Sequence, residues 1–188
     1  MHNLSPLTAL GSDTPRIDEF DGITITEVAD KALASLAMRH DQKTAFTRAC
    51  KAATGMAPVA PGTFATSGEI TLMATGLDQW MAAAPSQSHE LLASMLASKI
   101  KATASITEQN DGWVWFDLEG PLCAAMFERL CAANMRAMQA GDVTRTAIDH
   151  LGCFVLCHQQ GTKFSVIGPR SSAQSLHHAL ITAVHSAS

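Results

Sequence analysis

Residues 113–121, Trp-Val-Trp-Phe-Asp-Leu-Glu-Gly-Pro, decide the fold. Successive side chains of a strand point to opposite faces. Trp113 and Trp115 therefore share one face, while Val114, Phe116 and Leu118 share the other. A strand that is apolar on both faces lies inside its sheet or against another chain. Glu119-Gly120-Pro121 then turns the chain, and Pro121 suits the first position of a helix. Leu122, Met126, Phe127, Leu130 and Cys131 recur at helical spacing as its buried stripe.

Downstream, three short strands are expected over 145–150, 153–158 and 163–167, with turns at Leu151-Gly152 and Gln160-Gly161. Ser171 or Ser172 is placed to cap a closing helix whose buried face holds Leu176, Leu180 and Val184. Upstream, Asn110-Asp111-Gly112 is a strong turn signal, since Asn and Gly tolerate positive φ. A strand over 101–107 precedes it, and a helix with Leu91, Leu92, Met95 and Leu96 precedes that. Residues 68–84 read as a hairpin turning at Gly76-Leu77-Asp78. Residues 42–54 read as a helix, with Asp41 as its N-cap, Phe46, Cys50 and Ala53 buried, and Gly55 as C-cap. Ile23, Ile25 and Val28 begin a strand, and Leu33 to Met38 form a second extended piece.

The order up to residue 107 is β-α-β-β-α-β, a ferredoxin-like pattern. A strand, a helix, three strands and a helix follow. The expected class is α+β, two packed ferredoxin-like lobes with mainly antiparallel sheets. The expected divisions are an irregular arm over 1–21, a first lobe over 22–110 and a second over 111–188.

Composition excludes several classes of function. The net charge is −4, and no Lys/Arg cluster longer than a pair occurs, which argues against a nucleic-acid binder. No apolar run approaches the ~18 residues of a membrane-spanning helix. The N-terminal residues lack the basic-then-apolar order of a signal peptide, so a cytoplasmic location is expected. The five cysteines (50, 123, 131, 153 and 157) form no close pair, which fits buried thiols in a reducing compartment.

Candidate chemistry is sparse. On a strand Cys153 and Cys157 lie about 13 Å apart, too far to share a zinc ion or a disulfide, so they and His158 read as structural. His177 and His178 are adjacent on a helix, diverge by about 100°, and read as a partly exposed face. His178 has Asp149 and His150 as possible neighbours in space. Lys163, Arg170 and Arg145 are solvated strand-end charges or a grip on an anionic partner. Trp80, Trp113 and Trp115 are anchors for a core or an interface. There is no G-x-S-x-G, Walker loop or G-x-G-x-x-G. No catalytic, cofactor-binding or metal-ligating residue is assigned.

Trp-Phe-Asp-Leu-Glu-Gly-Pro at 115–121, Thr-Arg-Thr-Ala-Ile-Asp at 144–149 and the run from Phe164 to Leu180 resemble the gamma subunit of heterotetrameric sarcosine oxidase. Residues 27–39 and the layout from Ala57 to Trp80 agree more loosely. His177-His178 and the reduced form of Leu77-Asp78-Gln79-Trp80 depart from the family's pattern. The resemblance implies the folate-binding domain fold of aminomethyltransferases and tRNA-modifying GTPases. It further implies a non-catalytic structural subunit of a complex that oxidatively demethylates sarcosine to glycine, forming hydrogen peroxide and methylene-tetrahydrofolate. FAD, FMN, NAD, tetrahydrofolate and zinc would then belong to the partner subunits: the large, flavin-binding and small chains. The alternative reading is a stand-alone folate-binding or carrier module, for which Arg145 and Asp149 are the nearest candidates to hold a pterin.

Overall fold

Two antiparallel sheets divide the chain, and the division does not follow the sequence from end to end. The computed structural model describes residues 6–187. One unit comprises residues up to Ala29 together with Asp111 onward, and the other comprises Asp30–Asn110.

The second unit is contiguous. It contains β3 (Lys31–Met38), α1 (Lys43–Thr54), β4 (Phe64–Ser67), β5 (Ile70–Gly76), β6 (Gln79–Pro85), α2 (Ser86–His89), α3 (Leu92–Ile100) and β7 (Ala104–Glu108). Its sheet order is β4-β5-β6-β3-β7, every pair antiparallel. Without β4 this is the ferredoxin-like arrangement expected from the β-α-β-β-α-β order. Leu36, Leu72 and Ala82 on the sheet meet Phe46 and Cys50 of α1 and Leu92, Leu96 and Ile100 of α3.

Gly55 ends α1 in the left-handed conformation (φ 81°) and donates its N–H to the Lys51 carbonyl, as a C-cap should. Asp41 is not the N-cap: it is itself left-handed (φ 57°), and Gln42 occupies the cap position without a side-chain bond. The four-residue β4 has no apolar alternation, being half exposed at the sheet edge, and was not anticipated.

The first unit contains β1 (Ile17–Phe20), β2 (Ile23–Val28), β8 (Trp113–Glu119), α4 (Cys123–Leu130), β9 (Val143–Ile148), β10 (Leu151–Gln159), β11 (Lys163–Pro169) and α5 (Ala173–Ala187). Its sheet runs β1-β2-β8-β11-β10-β9, again antiparallel throughout. Beginning at β8, the chain runs β8-α4-β10-β11-α5, with β9 added at the edge. The strand that would follow α5 in a ferredoxin-like unit is β2, which comes from the other end of the sequence. The lobe boundary expected at residue 22 is therefore corrected. β2 pairs with β8 from Thr24↔Glu119 to Val28↔Trp115 and not with the strands that follow it.

The arm expected over 1–21 is corrected as well. Ile17–Phe20 is an edge strand, and residues 1–5 of that expectation lie outside the described residues. Glu27, 2 % exposed, holds the segment before it. Its carboxylate accepts the backbone N–H of Leu10 at 2.9 Å and of Arg16 at 3.2 Å. A buried carboxylate is tolerated only when its lone pairs are bonded, and these two amides do that.

As the alternation predicts, β8 is an interior strand. Val114, Phe116 and Leu118 face α4 and α5 in the core with Phe127, Phe164 and Leu176. Phe127 meets Phe164 edge to face at 5.2 Å between centroids. α4 starts at Cys123 and not at Pro121, while Gly120 and Pro121 form the corner. Ser171 and Ser172 lie in a single 3-10 turn, and neither makes a side-chain cap bond. The turn between β9 and β10 is Asp149-His150 (φ 46° and 65°), and Leu151-Gly152 already belongs to β10.

Candidate functional site

A cavity of about 620 Å³ in the first unit opens where the end of α4, the exposed side of α5 and the Asp149-His150 turn converge. α4 and the residues after it supply Arg129 and Cys131, the turn supplies Asp149 and His150, and α5 supplies His178 and Ser186. The alanines at 132, 147, 179 and 183 leave the room between them. The structure thus unites His178 with Asp149 and His150. Arg145, expected to join Asp149, is not among the lining residues. Its guanidinium stacks over the Phe154 ring, 5.7 Å from the centroid. Residues 145 and 154 pair across β9 and β10, whereas Asp149 sits in the turn beyond.

Lys163 and Arg170 form no common grip with it. Lys163 pairs with Glu119 at 3.0 Å, and Arg170 donates to the Leu7 carbonyl at 2.9 Å. They flank opposite ends of β11, roughly 23 Å apart for seven residues of strand.

His177 is not an exposed helix residue. Its side chain is 12 % exposed and its Nε2 lies 2.7 Å from Asp18 on β1. Arg16 completes the group through a two-pronged contact with Asp18 at 2.9–3.0 Å. The Arg16 guanidinium, more than the imidazole, holds the Asp18 carboxyl below its ordinary range. The contact with His177 spans 159 positions in sequence, so no local pattern announces it.

A second polar chain lies on the sheet. Trp115 Nε1–H donates to Asp117 Oδ1 at 2.8 Å, and the Ser165 hydroxyl donates to the same oxygen. Ser165 has one proton, so its contact with His158 Nε2 at 2.8 Å must be donated by the imidazole. That assigns His158 the Nε2–H tautomer. The hydroxyl is therefore directed at the Asp117 carboxylate and not at the imidazole, the reverse of a Ser–His nucleophile pair.

Burial pushes His158 below its ordinary pKa, against the pull of Asp117. The sign follows directly. Because the folded-state pKa is depressed, the contribution to stability is present above the unfolded value of about 6.5 and is lost as pH falls from there through the lower folded-state value. We expect the stability of the wild-type protein to decline as pH falls below about 6.5 more steeply than that of His158→Gln. Chemical denaturation at several pH values checks this; parallel curves would contradict it.

Burial also raises the thiols of Cys50, Cys153 and Cys157, and Cys123 most of all. Cys123 rises to about 12 and Cys153 to about 11, so both stay protonated near neutrality. A protonated thiol is a poor nucleophile and a poor metal ligand. Cys131 is half buried, and all five cysteines are free. Among the described residues no three His, Cys, Asp or Glu side chains form a metal-binding group.

In the second unit, a smaller cavity of about 290 Å³ is lined by Phe46, Pro58, Leu77 and Trp80, with Lys43 and Asp78 at hand. Trp80 Nε1–H is satisfied by the Val59 carbonyl at 2.9 Å, and its ring packs on Phe46 at 5.1 Å.

No family model matches the chain, and no curated protein sequence does. Solved structures do. One chain of heterotetrameric sarcosine oxidase from Corynebacterium sp. U-96, in complex with pyrrole 2-carboxylate, has a TM-score of 0.77 at 20% identity. That match covers 87% of this chain and 84% of that one. Glycine cleavage system aminomethyltransferase T from Bartonella henselae has a TM-score of 0.61 at 13% identity, covering 82% of this chain and 44% of that one. At such identities the likeness establishes the fold: the α+β architecture of these proteins, as the resemblance implied. No helix among the described residues is long and apolar enough to cross a membrane.

Proposed function

We propose that this chain is a non-catalytic structural subunit of a sarcosine-oxidase-type complex that oxidatively demethylates an N-methyl amino acid. The observation that carries the reading is the coverage of the match to the Corynebacterium enzyme. More than four fifths of both chains superimpose, so the correspondence is with a subunit-sized chain and not with one domain of a larger one. The match to the aminomethyltransferase, by contrast, spans less than half of that protein. The protonated thiols and the inverted Ser165–His158 bond support a non-catalytic role. In this reading the large, flavin-binding and small partner subunits carry FAD, FMN, NAD, tetrahydrofolate and zinc.

Co-expression of the tagged chain with flavoprotein and folate-domain genes encoded beside its own, followed by pull-down and absorbance, tests the reading. A stable yellow complex that oxidises sarcosine is expected. A colourless lone protein, with partners that assemble and turn over without it, overturns it and favours the stand-alone folate-binding module.

A further inference from the structure

The cavity at α4, α5 and the Asp149-His150 turn holds polar groups that the fold leaves unused. Arg129 is fixed in place, since its Nε–H donates to Ser186 Oγ at 3.1 Å and an Nη1–H donates to the Ala125 carbonyl at 3.0 Å. Its Nη2 edge carries no such bond. A guanidinium already immobilised loses little side-chain freedom when it takes up a carboxylate. Among the described residues, none bonds to the side chains of Asp149, His150 or His178. The turn is also costly to build. Both residues adopt positive φ, which Asn-Gly would do with less strain.

We propose that this cavity binds a small organic carboxylate that also carries an amine. The carboxylate meets Arg129 Nη2, with His150 and His178 as further donors, and the ammonium meets Asp149. A volume of about 620 Å³ is ample for such a molecule.

The probes are L-glutamate, glutarate (the same carbon skeleton without the amine) and inorganic phosphate, added to the full chain while its histidine resonances are followed by NMR. L-Glutamate should shift His150 and His178 saturably, with a midpoint on the order of 1 mM. Glutarate should bind about tenfold more weakly, the loss of one charge-assisted contact. Asp149→Asn should erase that difference, and Arg129→Met should weaken both ligands about tenfold or more. Ala179→Leu, which puts a larger apolar side chain into the cavity and removes no polar group, should abolish both responses. His40 and His89 of the second unit should not respond. The proposal is overturned if neither carboxylate gives a saturable shift, if phosphate acts as well as glutamate, or if His40 and His89 shift in parallel. Responses that persist in Ala179→Leu overturn it too. None of these results depends on whether the chain joins an oxidase complex.

Discussion

Gly120→Ala should lower the stability of the first unit by about 4 kcal/mol. Gly120 sits at φ 145°, in a region essentially reserved for glycine. A Cβ there would stand 2.3 Å from the Gly22 carbonyl oxygen and 2.8 Å from Ile23 Cα. Both obstacles are backbone, so no rotamer change relieves them. The same corner is bonded on two sides: Gly120 N–H donates to the Thr162 carbonyl at 2.8 Å, and Leu122 N–H donates to the Gly22 carbonyl at 3.1 Å. Moving the β1–β2 turn aside would break the second bond and pull β2 from β8. A fall in melting temperature of about 10 °C is expected by calorimetry. Gly161→Ala is the control. Gly161 is also left-handed (φ 75°) but has nothing within 4 Å of a Cβ, so it should cost only about 1 kcal/mol. Similar losses at both positions would show that backbone conformation, and not the close approach at Gly22, sets the cost.

Phe127→Ala should cost about 3–5 kcal/mol, the range for removing a fully buried aromatic. Phe127 is 0 % exposed and joins α4 to the sheet through its edge-to-face contact with Phe164, also 0 % exposed. With the ring gone, Phe164 loses that partner and the surrounding core of Phe116, Met126 and Leu176 can close the void only in part. Phe127→Leu keeps most of the volume and should cost about half as much. Urea denaturation of the three proteins orders them. A loss below about 1 kcal/mol for Phe127→Ala would mean that α4 re-docks freely, contrary to the packing described.

Much of this architecture is legible in the sequence because it rests on short-range pattern. Phe46, Cys50 and Ala53 sit one helical turn apart, Gly55 can adopt positive φ, and the alternation of 113–118 shows an interior strand. What failed depends on pairings that no local pattern encodes. Ile23 and Ile25 announce a strand but not that β8, some ninety residues on, is its neighbour. Ile17–Phe20 has exposed and half-buried residues only, as an edge strand does, and so reads as irregular. The Asp149-His150 turn lacks the glycine that marks such turns, which drew the expectation to Gly152.

The site was legible to the same degree. Asp149, His150 and His178 attract attention as residue types, and their convergence was one possibility among several. Arg129 reads only as the polar side of an amphipathic helix, and its anchoring by Ser186 is a tertiary fact. His177 meets Asp18, at the far end of the sequence, a pairing that no local pattern encodes.

The placement of β2 has a consequence for synthesis. As the chain leaves the ribosome, residues 30–110 bring out together every strand of their own sheet. β2 emerges before them, yet its partner β8 and the helices that cover Ile23 and Ile25 follow only after 113. Throughout that interval β2 has only β1 beside it, so its other edge and its apolar face stay exposed, the condition under which nascent chains associate wrongly or recruit chaperones. The one unit is assembled in order of translation, and the other only when distant parts of the polypeptide meet.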